Sequence, residues 1–194
     1  MIFTPESALM QSVRNRLMTK LELTADQIDI ELDDEAPAMA GDVYYSITPY
    51  GFRVGPLTRS SPGTLHYFFG VRVAVLQRIT DVARDRRRNI YAGRLNSLNQ
   101  RLDKVANVVA CNDGIICATK DELKDFGGCC SGEFIRPLVV VSADAKPKLQ
   151  TGKVTYDSKN LSNPGHSFAA MVRGVNFGEA EFIGSCESCK CDDD

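Results

Sequence analysis

Cysteine is the residue type of this sequence with the greatest capacity for chemistry. Its seven copies form three groups: Cys111-x5-Cys117, the adjacent pair Cys129-Cys130, and Cys186-x2-Cys189-x-Cys191. Zinc binds thiolates tetrahedrally, and C-x-x-C is a usual spacing of two ligands, so the last group supplies candidate zinc ligands. No second C-x-x-C follows at the usual distance. We therefore expect no cofactor and keep zinc at Cys186, Cys189 and Cys191 as an alternative.

The cysteines have other interpretations. Seven is an odd number, so they cannot all pair within one chain. In a reducing cytosol most of them should be thiols or metal ligands. The alternative for Cys111 and Cys117 is that they are small buried residues near the core. The later cysteines would then be surface thiols, or disulfides formed late in a particle outside the cell.

Histidine is too scarce to support a cysteine nucleophile. Such an enzyme needs a neighbouring base, and the sequence offers His66 and His166. His66 lies in a strand pattern, His166 follows a proline-glycine turn, and neither stands in a recognisable catalytic motif. The phosphate-binding patterns G-x-x-x-x-G-K-[ST] and G-x-G-x-x-G are also absent from the sequence. We expect no enzymatic activity.

Charged residues are segregated along the chain, although the formal net charge is only −2. Residues 22–42 hold eight acids and no base, whereas residues 72–94 hold seven arginines and two aspartates. Clustered arginines pair with phosphate or carboxylate, but nucleic-acid binding would normally add interleaved aromatics or a basic face. We predict instead that the arginine-rich loop contacts the acidic segment of a second copy, and the alternative is an exposed loop without a partner. The candidate interface residues are Arg78, Arg84, Arg86, Arg87, Arg88, Asp29, Glu31, Asp33, Asp34 and Glu35.

The composition is that of a folded protein, with 43% hydrophobic and 25% charged residues. We expect one domain over residues 1–194. The start M-I-F-T-P-E lacks the features of a signal peptide, and no window approaches the ~18 apolar residues of a membrane span. Assembly in a cytoplasm without a membrane partner is the corresponding expectation.

Apolar periodicity predicts the elements that position these residues. Alternation over Leu65–Thr80 predicts a long central strand with one buried face, and Leu9, Val13 and Leu17 mark a helix over 5–21. The remaining predictions are antiparallel strands at 27–32 and 43–48, a turn at 49–52, a helix at 95–109 capped by Asn96 or Ser97, a buried strand at 137–141, and a closing hairpin of 168–175 and 179–183 around 176–178. A Cys/Gly-containing insertion is predicted at 110–135, and a flexible polar tail at 185–194. The predicted class is α+β: a mainly antiparallel sheet with two helices packed on one face, the insertion, and a C-terminal strand extension.

This order of elements resembles the tail-terminator, or tail-completion, proteins of long-tailed bacteriophages. The likeness covers about residues 1–142 and is one of pattern. It includes the run Val71–Asp85, in which a strand gives way to a charged loop before the second helix. The insertion and residues 143–194 depart from the short members of that family. Because of these two departures, the adjacent head–tail connector is an alternative to the tail terminator.

The resemblance implies a structural virion protein without chemistry of its own. It would form a hexameric ring at the head-proximal end of the tail, with the tail-tube protein and the connector or neck protein as partners. It would be assembled in the host cytoplasm and would bind no specific nucleic-acid sequence. The alternative function is a small metal- or nucleic-acid-binding accessory protein that uses the cysteines or the arginine-rich loop. Zinc quantitation and a salt-dependent DNA shift distinguish the two.

Charge reversal tests the predicted contact between the arginine-rich loop and the acidic segment. Changing Arg86, Arg87 and Arg88 together to glutamate is expected to abolish the ring and leave a folded monomer. Three positions are changed at once because single exposed ion pairs contribute little. The oligomeric state is measured by light scattering, and an unchanged oligomer would refute this contact.

Overall fold

A computed structural model describes residues 4–31, 41–55, 64–79, 87–110, 130–153 and 167–186. Within these ranges two helices pack on one face of a seven-stranded, mainly antiparallel sheet, which confirms the predicted α+β class. The elements are α1 (Pro5–Leu21), β1 (Ile28–Ile30), β2 (Val43–Val54), β3 (Thr64–Ile79), α2 (Arg87–Ala110), β4 (Cys130–Phe134), β5 (Val139–Ala143), β6 (Lys148–Lys153) and β7 (Ser167–Cys186). The strand order is β1-β2-β3-β7-β4, and β5 and β6 also pair with β7.

Helix α1 has the bounds that its sequence predicts. The Thr4 side chain accepts a hydrogen bond from the Ser7 N–H at 3.2 Å, and Pro5 occupies the first turn, where its missing N–H costs nothing. The helix ends at Glu22, which adopts φ 55° and donates its N–H to the Met18 carbonyl. Its buried positions include Leu9 and Val13, which pack in the same core as the sheet.

Strand β3 is the centre of the sheet, as the alternation predicts. It pairs antiparallel with β2 on one side and with β7 on the other. Val71, Val73 and Val75 are fully buried in the core that contains both helices. Alternate side chains lie on the opposite face, where Ala74 and Leu76 belong to a second, smaller cluster. Both faces of the central strand are therefore buried along this stretch.

Two predictions about strand connections are wrong. β1 pairs with β2 in parallel, not in an antiparallel meander. Residues 31–42 connect them, which is long enough for the crossover of roughly a dozen residues that parallel neighbours need. The closing hairpin is also wrong, because residues 167–186 form one strand, β7. Phe177, at the expected turn, is fully buried and pairs with Val71.

Helix α2 and strands β4 and β5 also differ from their predictions. The helix begins at Arg87, eight residues before the expected start, since arginines are good helix formers even without an apolar period. Asn96 and Ser97 therefore lie inside the helix and are not caps. The predicted buried strand at 137–141 is β5, which is exposed at every position because it lies at the sheet margin. The end of the predicted insertion is β4, and residues 111–129 lie outside the described ranges.

A bulge interrupts β2 and β7 at the same level, on either side of Gly70. Tyr50 and Gly51 of β2 lie opposite this single glycine, and so do Gly178 and Glu179 of β7. The predicted turn at 49–52 is thus a bulge within one strand. Gly51 has φ 73° and Glu179 has φ 62°, the left-handed conformation typical of such irregularities.

Strand β5 has a register shift next to this level, on the other side of Phe177. Val140 pairs with Phe177 and Ser142 with Asn176, which leaves Val141 as the extra residue. The extra residues of β2, β7 and β5, together with Gly70, form a transverse row across four strands. We call this row the bulge line.

The two flanking strands approach Gly70 too closely for any side chain. A Cβ there would overlap the carbonyl oxygen of Tyr50 and lie 2.8 Å from that of Phe177. Both obstacles are backbone atoms of paired strands, so neither can rotate away. The bulge line therefore depends on glycine at this position.

Substitution of this glycine should be costly. We expect Gly70→Ala to lower the free energy of unfolding by at least about 2 kcal/mol, measured by denaturant unfolding, because an added methyl must displace backbone. Gly93→Ala is the matched control. Gly93 lies in α2 with no atom near its added methyl, and the change should stabilise by about 0.5–1 kcal/mol. Equal stability of Gly70→Ala and the parent protein would contradict the close approach.

Candidate interaction surface

Large apolar side chains are exposed in one part of the sheet. Among the described residues, eight large apolar residues are exposed, with exposed fractions from 37% for Tyr50 to 60% for Phe52. Those of β2, β7 and the connection between β4 and β5 lie on the bulge line or beyond it, and those of β5 lie at the bulge line or next to it. The eight are Tyr50, Phe52, Val54, Ile135, Val139, Val140, Val141 and Ile183, and we call them the apolar patch. Clustered exposure of this kind marks an interaction site.

The second half of β2 forms one margin of this patch. β1 pairs with residues 45–47, so residues 49–54 are paired on one side only within the described ranges. We call residues 49–54 the β2 edge. Phe52 contacts Tyr67 and Phe69 with ring centroids 5.5 Å apart, yet stays 60% exposed. An edge strand with unpaired backbone and apolar side chains is a template for another strand.

Strand β5 forms the opposite margin and has the same character. It pairs with β7 on one side, and Val139, Val140 and Val141 are each about half exposed. We call Val139–Ala143 the β5 edge. The β2 edge and the β5 edge lie on opposite sides of β3 and β7. One chain therefore presents two different apolar edges.

A cleft of about 220 Å³ lies on the bulge line between the two edges. Tyr50 and Phe52 line it from β2, and Val141 lines it from β5. The Arg53 guanidinium stacks 4.1 Å from the centroid of the Phe68 ring and lies 3.8 Å from the Glu179 carboxylate. The charge on the β2 edge is thus held by its own chain.

The start of the loop after β5 is tied to the centre of the sheet by an ion pair. Asp144 accepts from both terminal nitrogens of Arg72, at 3.2 and 2.6 Å, and from the Gly174 N–H at 2.9 Å. The two charged side chains are only 13% and 17% exposed. Burial alone would raise the pKa of Asp144, but the hydrogen bonds from Arg72 and Gly174 and the nearby positive charges outweigh it and hold that pKa below its ordinary value. The pair fixes the β5 edge relative to β3.

A second charged group lies beyond the bulge line. The Glu181 carboxylate is hydrogen-bonded to His66 Nε2 at 2.8 Å and accepts from Arg136 Nε at 3.0 Å. His66 belongs to β3, Glu181 to β7, and Arg136 to the connection between β4 and β5. His66 is therefore a strand residue with an acidic partner. The cluster links three parts of the sheet near the apolar patch.

The structure describes part of the predicted arginine interface. Arg78 lies near the end of β3, is half-buried, and donates its N–H to the Asp42 carbonyl. The backbone of Arg87 and Arg88 forms the start of α2. Arg84 and Arg86 lie outside the described residues.

The described acids of that interface have partners in their own chain. Asp29 lies 3.7 Å from Arg14, and Glu31 accepts a hydrogen bond from the Tyr44 hydroxyl at 2.7 Å. Burial, this hydrogen bond and the negative charges of Glu31 and Asp29 raise the pKa of Tyr44. Among the described side chains no ion pair joins Arg78 to either acid. Asp33, Asp34 and Glu35 lie outside the described residues, so the contact between copies stays a prediction.

The predicted zinc ligands are only partly described. Cys186 ends β7, while Cys189 and Cys191 lie outside the described ranges. Within those ranges no group of three His, Cys, Asp or Glu residues is placed to hold a metal ion.

Sequence reasoning missed the apolar patch. Its signals are the run Y-G-F-R-V at 50–54, which overlaps the turn predicted at 49–52, and the run V-V-V at 139–141, which lies in the buried strand predicted at 137–141. Both are apolar enough to be strands. Nothing local in them indicates that they lie at sheet margins.

No family model matches the chain, and no curated protein matches it. In the part of the chain that the structure describes, no helix is long and apolar enough to cross a membrane.

The Arg72–Asp144 pair predicts a specific pH dependence of stability. Asp144→Asn should lower the free energy of unfolding at pH 7 by roughly 2–3 kcal/mol, somewhat less than full loss of a buried pair, because the amide still accepts from Gly174. A carboxyl group whose pKa is lower in the folded protein stabilises the fold fully at pH values above its pKa in the unfolded chain, about 3.9. This contribution disappears as the pH falls through its pKa in the folded protein. The difference in free energy of unfolding between the variant and the parent protein should therefore be constant from pH 7 to about pH 4 and should decrease below pH 4.

The matched control for this substitution is Asp103→Asn. Asp103 is exposed on α2, and its amide variant should stay within about 0.5 kcal/mol of the parent. Urea unfolding of all three proteins across the pH range provides the measurement. A difference for Asp144→Asn that persists unchanged at the lowest pH would show that the lost charge is not its cause.

Proposed function

We propose that this protein is a structural subunit that assembles into a ring at the head-proximal end of a bacteriophage tail and joins the tail tube to the neck. The observation behind the proposal is the pair of apolar edges on opposite sides of one sheet. Each edge leaves backbone groups and large apolar side chains without a partner in the described chain. A subunit of an assembly provides that partner.

The two edges favour a ring over a simple dimer. They are different surfaces, so the β2 edge of one copy meeting the β5 edge of the next forms a heterologous contact. Such a contact repeats from copy to copy and forms a ring where the rotation between copies closes. Edge-to-edge pairing supplies main-chain hydrogen bonds, and the alternating side chains supply specificity.

The virion assignment is supported by the pattern of elements. Helix α1, the strands β2 and β3, and helix α2 follow in the order that resembles tail-terminator proteins, on a sheet of the expected class. In this role the protein performs no chemistry. Its faces bind other copies, the last ring of tube protein, and the connector.

Oligomeric state is the direct test of this function. Purified protein should elute as a discrete oligomer in light scattering and show closed rings in negative stain. It should also bind the ends of purified tail tubes. A monomer at every concentration, without binding to tubes, would overturn the proposal.

Single charges placed on either edge should block assembly. Val54→Asp on the β2 edge and Val140→Asp on the β5 edge each put a carboxylate into the expected contact, and each replaces a side chain that is about half exposed in the monomer. We expect each variant to remain folded by circular dichroism and to raise the concentration needed for assembly at least roughly tenfold, because an unpaired charge must lose its water. Gln100→Asp, which adds the same charge on exposed α2, should assemble normally.

Mixing the two edge variants distinguishes a heterologous contact from a symmetric one. Val54→Asp keeps an intact β5 edge, and Val140→Asp keeps an intact β2 edge. A mixture should therefore form one-to-one dimers that neither variant forms alone. Normal rings from both single variants would exclude the edges as the interface.

A further inference from the structure

The register of β4 and β7 brings together two cysteines that are far apart in the sequence. Cys130 begins β4, Cys186 ends β7, and the two residues are direct partners across the antiparallel pair. Each belongs to a separate cysteine group, Cys129-Cys130 and Cys186-x2-Cys189. The pairing is independent of the apolar edges and of the proposed function.

The hydrogen-bond pattern identifies the type of pair. The Ile135 N–H donates to the Glu181 carbonyl at 2.7 Å, so these opposite residues form a hydrogen-bonded pair. Such pairs alternate along antiparallel strands with non-hydrogen-bonded pairs, in which the Cα atoms are only about 4.5 Å apart. Counting from Ile135, Phe134 and Cys130 both occupy non-hydrogen-bonded positions, opposite Phe182 and Cys186.

This column of partners is closely packed. The rings of Phe134 and Phe182 have centroids 5.3 Å apart. At the next pair in the same column, a Cβ on Gly132 would lie 2.9 Å from the Gly184 Cα. Cys130 and Cys186 are the following pair of residues in this register. The typical Cα spacing of a non-hydrogen-bonded pair, about 4.5 Å, falls in the range of roughly 4.4–6.8 Å that a disulfide spans.

We propose that Cys130 and Cys186 are a redox pair that closes into an intramolecular disulfide when the protein meets a low-molecular-weight disulfide such as oxidised glutathione. One cysteine thiolate attacks the glutathione disulfide, forms a mixed disulfide and releases one glutathione thiolate. The second cysteine thiolate attacks the protein sulfur of that mixed disulfide, and the other glutathione thiolate leaves. Two electrons pass to glutathione, and the two cysteine protons end on its two thiols.

The disulfide would cross-link the outer strand β4 to the end of β7. β4 and the end of β7 lie beyond the bulge line, in the part of the sheet that bears Ile135 and Ile183 of the apolar patch. The cross-link also closes the chain segment that contains β5 and β6. Oxidation thereby stabilises this end of the sheet without altering its register.

Serine variants of neighbouring cysteines provide matched tests. Each protein is reduced, transferred to oxidised glutathione, and alkylated with N-ethylmaleimide, and the tryptic peptides are identified by mass spectrometry. The parent protein should yield a link between peptides 125–148 and 174–190, since trypsin does not cleave before Pro137 or Pro147. Cys130→Ser and Cys186→Ser should abolish this link, whereas Cys129→Ser and Cys189→Ser should retain it.

Thermal melting gives a second readout. Oxidation should raise the melting temperature of the parent protein by at least about 5 °C, and dithiothreitol should reverse the rise. Cys130→Ser should show no such rise. If that variant fails to fold, the proposal is tested on a chain that retains Cys130 and Cys186 and has serine at the other cysteines, which should form the link by itself.

Three results would refute the proposed disulfide between Cys130 and Cys186. The link could persist in Cys130→Ser and disappear in Cys129→Ser or Cys189→Ser, which would assign it to other cysteines. Both thiols could remain reduced in the folded protein under oxidised glutathione. Stoichiometric zinc that protects both cysteines from alkylation would make them metal ligands.

Discussion

The close approach of three strands at Gly70 is the constraint on which the rest of the sheet depends. β2 and β7 each contain an extra residue at that level, and their carbonyl oxygens occupy the space of a side chain on β3. A bulge increases the local twist and bends the strand that contains it. The bulges on both neighbours and the adjacent register shift of β5 place these irregularities side by side across the sheet.

The bulge line divides the sheet into two parts with different surroundings. On one side the helices cover the valines of β3, and the central strand is buried on both faces. On the other side Phe134 and Phe182 still form core, but the flanking edges are exposed. The Arg72–Asp144 pair holds β5 against this boundary. The same irregularity therefore builds the cleft and leaves the apolar edges uncovered.

The sequence predicts what depends on local pattern and misses what depends on distant partners. Helix α1 and strand β3 follow from capping residues and from alternation, which are both local. Residues 176–178 contain a turn-like Asn-Phe-Gly, yet Phe177 is paired across two strands, so tertiary pairing converted a turn signal into a bulge. Likewise the valines at 139–141 are equally apolar in a central or an edge strand. The opposition of Cys130 and Cys186 is a matter of register, which no spacing along the chain reveals.

Magnitudes decide which surface would dominate assembly. An exposed ion pair contributes about 0–1 kcal/mol, whereas complete burial of a valine or phenylalanine contributes about 1.5–3 kcal/mol. Asp29 and Glu31 also have partners in their own chain, which a contact with another copy would have to replace. The half-exposed side chains of the two edges require no such exchange. In an assembly of this chain the apolar edges would therefore supply most of the affinity, and the segregated charges would mainly select orientation and accelerate encounter.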